Sequence, residues 1–175
     1  MALLPVLSIP FLAFLAYEDQ RYRAVSWLVF PFITLIFIWC SIYFIGLSEM
    51  IYNVLYNLGF LILQLVLISM YFSIKEKRFV LITRNYLGLG DILFLFCLAF
   101  FFSPLNYMTF YFVSLLIIVT GVFLYSVFSK KQYSQLPLAG WQSVILIVLI
   151  LINVLSGYGY RFCDDSLLIR QLLSE

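Results

Sequence analysis

Apolar residues run along this chain in long stretches, separated by short segments that hold most of the charged residues. A helix needs about 20 apolar residues to cross the hydrocarbon core of a bilayer. Six stretches approach or exceed that length: residues 1–17, 25–47, 51–74, 87–102, 105–128 and 138–156. They are apolar on every face, without the period-two alternation of membrane β-barrel strands. The pattern therefore predicts an all-α membrane protein with six transmembrane helices.

The first stretch is short and contains Pro5 and Pro10. It lacks the basic start and the small-residue cleavage site of a signal peptide. We therefore expect it to be retained as the first span.

Basic residues are confined to alternate connections between these stretches. The first, third and fifth connections hold eight of the ten basic residues: Arg21, Arg23, Lys75, Lys77, Arg78, Arg84, Lys130 and Lys131. The second and fourth hold none. Because cytoplasmic loops are enriched in Lys and Arg, the basic connections should face the cytoplasm and both termini the outside. We expect residues 1–160 to form one transmembrane domain and residues 161–175 a short amphipathic tail on the outer surface.

Composition supports the membrane interpretation and limits the chemistry. Only 10% of the residues are charged and 65% are hydrophobic, whereas soluble domains have about 25% charged residues. A net charge of +2 gives no reason to expect a nucleic-acid partner. The chain has no histidine, which excludes Ser-His and Cys-His nucleophile pairs and most zinc sites. Its three cysteines form no C-x-x-C pair, so we expect neither a metal nor another cofactor.

Asp91 stands out because it lies within an apolar stretch. The twelve residues from Asp91 to Phe102 cover about 18 Å of helix, so the carboxylate should lie inside the membrane boundary. A carboxylate there is costly and suggests a functional site, although it could also simply cap a helix. Gly88 and Gly90 precede it and predict a local opening of the backbone at a cavity. Close packing of small residues is the alternative explanation for the glycines.

Asp19 lies at the cytoplasmic end of the first span, on the side predicted for Asp91. Taken alone, it could be a solvated charge at a helix end. Its neighbour Glu18 points about 100° away on a helix, so only one of the two should face the bundle. Two aspartates brought together from different spans would share a proton and titrate as a pair. Such a pair can activate water against a peptide carbonyl while protonating the oxyanion.

Three segments resemble the motifs of type IV prepilin peptidases. Residues 19–23 (DQRYR) resemble the first motif, which follows an apolar span. Residues 88–91 (GLGD) resemble the G-x-G-D motif that this family shares with presenilin-type intramembrane proteases. Residues 136–140 (LPLAG) resemble the Pro-containing segment before the last helices, and the resemblance extends from about residue 5 to about residue 152.

The resemblance implies an aspartyl endopeptidase of the bacterial inner membrane that removes the short basic leader of prepilins or pseudopilins on the cytoplasmic side. Asp19 and Asp91 would be the catalytic pair. The other residues that it implicates are Gly88, Gly90, Pro137 and Gly140, which would shape the site, and Arg21, Arg23 and Arg84, which could support the charge or bind substrate. The chain resembles the short form, without the N-methylation domain of longer relatives.

The chain departs from the family pattern at two places. The first motif usually continues with Ile-Pro-Asn, where this chain has Val25, Ser26 and Trp27. The second usually has Lys two residues after its Asp, where this chain has Leu93. These departures leave open a catalytically silent homologue that acts as a membrane assembly factor. A proton-coupled transporter using Asp19 and Asp91 is a further alternative.

Overall fold

The computed structural model describes residues 4–23, 25–76, 88–129, 138–156, 162, 163 and 165. All regular structure in these ranges is helical, and they contain no strand. A 3₁₀ turn, Pro5–Ser8, leads into five helices: α1 (Ile9–Tyr22), α2 (Val29–Glu76), α3 (Leu89–Leu98), α4 (Pro104–Ser129) and α5 (Leu138–Ser156). The predicted all-α class is confirmed.

Three of the helices are long and apolar enough to cross a membrane. Within the described ranges they cover Val29–Lys75 and Pro104–Ser126, each with a mean hydropathy of 2.1, and Leu138–Leu155, with 2.3. Helix α3 is apolar but shorter. Large apolar side chains such as Leu116, Phe123 and Leu155 are exposed on these helices, as expected where lipid replaces water. These long apolar helices indicate a membrane protein.

Helix α1 has well-defined ends. Pro10 lies in its first turn, where no intrahelical N–H bond is lost. The helix ends at Arg23, whose left-handed backbone (φ 52°) lets its N–H donate to the Asp19 carbonyl at 3.1 Å. The helix thus runs past Tyr17, the predicted end of the first span, and Asp19 lies inside its last turn.

Helix α2 is broken at Gly46, where φ is 83° and ψ is 167°. Glycine reaches this region without a steric penalty, whereas residues with a Cβ do not. We call residues 29–45 the first arm and residues 47–76 the second arm. As a straight helix, the 48 residues of α2 would be about 72 Å long, more than twice the thickness of a bilayer core.

Contacts with α3 show that the two arms run in opposite directions. In the first arm, Thr34 donates to Cys97 Sγ at 3.0 Å, and Ser41, farther along, donates to the Phe100 carbonyl. In the second arm, the Asn57 amide donates to the carbonyls of Ala99 and Phe102 at 3.0 and 2.7 Å. Later residues of this arm, including Leu65 and Ile68, line a groove with Asp91 at the other end of α3. The chain therefore reverses its direction around Gly46.

The core surrounds α3 and the turn that follows it. Phe94, Leu98 and Phe101 are fully or almost fully buried, and Phe37 of the first arm stacks on Phe101 with ring centroids 4.5 Å apart. Tyr107 of α4 donates to the Leu95 carbonyl at 3.2 Å. These contacts hold α3 between the arms of α2 and α4.

The three described tail residues lie against the turn between α3 and α4. Ser103 N–H donates to the Phe162 carbonyl at 2.8 Å, and the Asp165 carboxylate accepts from Ser103 Oγ and from Leu105 N–H. Asp165 therefore caps the start of α4. The amphipathic tail helix predicted for residues 161–175 lies otherwise outside the described residues.

Gly46→Ala should destabilise the protein by about 1–3 kcal/mol, because alanine would be strained at φ 83° even though nothing lies within 4 Å of its Cβ. Unfolding by denaturant in detergent micelles would measure this change. Gly59→Ala is the matched control, since Gly59 has equally open surroundings but lies within the helical second arm. That change should be neutral or stabilising. Equal effects of the two substitutions would contradict the reversal at Gly46.

Candidate active site

The buried face of α1 ends at Asp19. Leu12, Leu15, Ala16 and Asp19 recur at helical spacing and are all buried, and Asp19 is only 8% exposed. Glu18 lies on the neighbouring face, where its carboxylate accepts from the N–H and the hydroxyl of Ser26, both at 2.8 Å. The prediction that only one of the two acidic residues faces the bundle is confirmed. Glu18 instead holds the turn that leads into α2.

Asp91 is the third residue of α3 and is half-buried. Its carboxylate accepts from the Ala139 N–H at 2.7 Å and also interacts with the backbone of Gly88, the N-cap residue of its own helix. An acidic side chain at this position commonly reaches back to the N-cap N–H. Asp91 thus contacts both its own helix start and a second helix, so the capping explanation and a functional role are compatible.

The first turn of α5 brings the two aspartates together. Ala139 donates to Asp91, and the next residue, Gly140, donates to Asp19. The first N–H groups of a helix have no partner within it, and the helix dipole favours negative charge there. Since consecutive Cα atoms are about 3.8 Å apart, the two accepting oxygens lie within about 9 Å of each other. This is close enough for the charge of Asp19 to act on Asp91.

Gly140 permits this approach because it has no side chain. A Cβ at Gly140 would lie 3.0 Å from Asp19 Oδ2 and 3.1 Å from Asp19 Cβ, and 3.4 Å from the Ala16 carbonyl oxygen. Helix α1 therefore packs directly on the backbone of α5. The predicted shaping role of Gly140 thus has a geometric basis, whereas Pro137, which was predicted beside it, lies outside the described residues.

The two glycines before Asp91 do not open the backbone. Gly88 has φ −65° and ψ 140°, an extended conformation open to any residue, and Gly90 lies within α3. A Cβ at Gly90 would make ordinary contact with Val25 at 3.5 Å. A Cβ at Gly88 would lie 3.2 Å from Asp91 Oδ2, which is tight. Neither glycine therefore has backbone angles that only glycine adopts, and small size matters here mainly at Gly88, against the carboxylate of Asp91.

The described arginines lie on the surface. Arg21 donates to the Tyr17 hydroxyl and lies over the rings of Tyr17 and Tyr22, 5.5 and 5.6 Å from their centroids. Arg23 is exposed and ends α1 with its backbone. In these positions their charges are directed to the surface instead of to the carboxylates. Arg84, the third predicted supporting residue, lies outside the described residues.

Three of the residues at the two departures from the family motifs, Val25, Ser26 and Leu93, have defined positions. Val25 packs against Gly90 and Ser26 binds Glu18, so the segment between α1 and α2 is held on both sides of the site. Leu93 is 38% exposed. Residues two apart on a helix do not share a face, so the side chain at position 93 points away from that of Asp91.

A shallow groove opens beside Asp91, with a volume of about 30 Å³ and a side open to the outside. Its walls come from the second arm, α3, α4 and α5. The lining residues are Leu61, Gln64, Leu65, Ile68, Asp91, Leu95, Tyr111, Leu115, Leu138 and Gln142. Sequence reasoning missed Gln64 and Gln142. The sequence feature that could have indicated them is an amide side chain within an otherwise apolar span. Asn57 has the same feature, but its amide binds backbone carbonyls and so stabilises the fold.

The site is built from oxygen and backbone nitrogen groups. Among the described residues, no three His, Cys, Asp or Glu side chains come together as a metal site. Two neighbouring carboxylates can exchange one proton with a water molecule or a carbonyl oxygen. The chemistry that the arrangement offers is therefore general acid–base catalysis on a bond presented beside Asp91.

Compared with known proteins, the chain matches no family model, no curated protein and no solved structure. The resemblance to prepilin peptidases therefore stays a prediction.

Gly140→Ala should destabilise the protein by about 1–3 kcal/mol, because the new Cβ pushes α1 away from α5. Denaturant unfolding in micelles would measure the loss. Gly121→Ala in α4 is the control, since nothing lies within 4 Å of a Cβ there. Equal stability of the two variants would show that α1 does not approach α5 at this residue.

Proposed function

We propose that this chain is a membrane-embedded aspartyl endopeptidase. It would cleave the leader of prepilin-like or pseudopilin-like substrates at the cytoplasmic face of the bacterial inner membrane. The observation that supports this proposal most directly is the pairing of the Asp19 and Asp91 carboxylates on successive N–H groups of α5. The motif resemblance supplies the substrate class.

In the proposed reaction, one carboxylate takes a proton from water while the water oxygen bonds to the scissile carbonyl carbon. The other carboxyl group gives its proton to the carbonyl oxygen, which yields a neutral tetrahedral diol. The carbon–nitrogen bond then breaks as the first carboxyl group gives its proton to the leaving nitrogen. The diol loses one hydroxyl proton to the second carboxylate and becomes a carboxylic acid. Ala139 and Gly140 keep both carboxylates oriented throughout.

The main structural alternative is that the two aspartates only cap α5. A capping role needs an oxygen acceptor, which asparagine also supplies at similar strength. Catalysis needs the negative charge or the transferable proton, which asparagine lacks. Asparagine substitutions therefore distinguish a cap from a catalyst.

Asp19→Asn and Asp91→Asn should each reduce leader cleavage by about 10²–10⁴-fold while leaving unfolding nearly unchanged. The double variant should lose little more, because residues that act as one unit are not additive. Co-expression with one prepilin, followed by its change in size on a gel, measures cleavage; membrane levels are compared in parallel. Glu18→Gln is the matched control and should keep cleavage, since Glu18 binds Ser26.

The same variants test the other two functions. An assembly factor would remain functional with asparagine at both positions. If the chain is a proton-coupled transporter, the asparagine variants should lose proton flux into vesicles. In that case the unsubstituted protein should show no cleavage. Normal cleavage by Asp91→Asn would contradict the peptidase proposal.

We also propose six spans with both termini outside. The proposal counts the two arms of α2 separately and takes α1 and α3 as short spans beside α4 and α5. Helix α1 ends, and α3 and α5 begin, at the end of the bundle that holds the two aspartates. The three basic connections adjoin these helix ends in the sequence, which favours a cytoplasmic site.

Single cysteines at positions 49 and 130, in a variant whose three native cysteines are replaced, should be labelled from opposite sides. Glu49→Cys should react with a membrane-impermeant maleimide added outside cells, and Lys130→Cys only after the membrane is opened. Glu49 is exposed three residues after the reversal at Gly46. Labelling of both from the same side would contradict the six-span topology.

A further inference from the structure

The side-chain nitrogen of Gln64 is the one buried side-chain N or O atom among the described residues without a hydrogen-bond partner. Leaving such a group unpaired costs about 1–3 kcal/mol, and native structures rarely do so without a functional reason. The other amide of the second arm, on Asn57, is fully used on two backbone carbonyls. The contrast marks Gln64 as a group that the fold itself does not use.

Gln64 lies in the groove that contains Asp91. The neighbouring Gln142 amide, from α5, already donates to the Ser114 hydroxyl at 3.3 Å. The remaining walls are almost entirely apolar, with side chains such as Leu61, Leu65 and Leu115. The N–H₂ group of Gln64 is therefore an uncommitted hydrogen-bond donor in a mainly apolar groove that also contains a carboxylate.

The chemistry of the proposed reaction requires such a donor. The carbonyls of a helical substrate are bonded within the helix, so a peptide bond must leave the helix before water can attack it. A carbonyl freed in this way that lies against the apolar walls of the groove loses its contact with water there and costs several kcal/mol if unpaired. An enzyme that unwinds an apolar segment must therefore supply donors for these carbonyls.

We propose that Gln64 is a substrate-binding residue, whose side-chain N–H₂ donates to a backbone carbonyl of an unwound apolar peptide segment lying in the groove. The inference rests on the proposed peptidase function and names the conformation and the atom that the site recognises. Apolar residues of the substrate lie against the leucines of the groove, and the bond to be cleaved lies beside Asp91. Leaving the Gln64 amide unpaired in the free protein lowers stability but keeps the donor available for substrate.

Gln64→Met tests this inference, since methionine keeps the length of the side chain and removes the donor. We expect kcat/KM for cleavage of a co-reconstituted prepilin to fall about 10–100-fold, while the unfolding midpoint stays the same or rises. Asn57→Leu is the matched control: it should lower the unfolding midpoint but keep cleavage per folded molecule. A cleavage rate for Gln64→Met equal to that of the unsubstituted protein would overturn the inference.

A binding measurement separates this inference from the peptidase proposal. The probe is a fluorescent peptide with a short basic leader and an apolar segment, bound to the Asp91→Asn protein in vesicles. Adding Gln64→Met should weaken binding about 10-fold or more. Equal binding of the peptide with and without Gln64→Met would overturn the inference, even if the unsubstituted protein cleaves prepilin. It would mean that the Gln64 amide binds only a water molecule. Weakened binding by a protein that never cleaves would support the groove and refute the peptidase.

Discussion

The first turn of α5 has backbone N–H groups that its own helix cannot use, and two of them are bound by carboxylates from α1 and α3. Among the described residues, the partners that each carboxylate gains are backbone N–H groups. A buried acidic group is tolerated in an apolar bundle only when such donors are supplied. The bonds from Ala139 and Gly140 therefore fix the relative positions of three helices and hold the two aspartates at one place.

Other features of the bundle follow from this arrangement. Helix α1 must approach α5 closely, which a side chain at Gly140 would prevent. Helix α3 must keep its first turn near α5, and the two arms of α2 hold it there by hydrogen bonds to the carbonyls at its far end. The groove beside Asp91 is the space left between the second arm, α4 and α5.

Much of this could be predicted from residue type and position. Asp91 is followed by too many apolar residues to lie at the membrane surface, and Glu18 is a third of a helical turn away from Asp19. The role of Gly140 was expected from motif resemblance alone, since its close contact with Asp19 joins residues 121 positions apart. A reversal between the stretches 25–47 and 51–74 was expected, but its position at Gly46 was not specified, because a glycine within an apolar run is equally compatible with a continuous helix. The expected role of Gly88 and Gly90 in opening the backbone did not require glycine-specific angles, because a G-x-G string does not determine φ and ψ without its surroundings.

The hydrogen bonds of Ala139 and Gly140 also set an order for biogenesis. The ribosome makes Asp19 and Asp91 long before it makes the start of α5, so a nascent chain enters the membrane with both carboxylates still lacking these donors. The site is complete only after the last described helix has inserted. A chain truncated before residue 139 would keep both acidic residues but lack the backbone N–H groups that bind them. Such an incomplete bundle, with two unpaired carboxylates, should be a substrate for membrane-protein degradation.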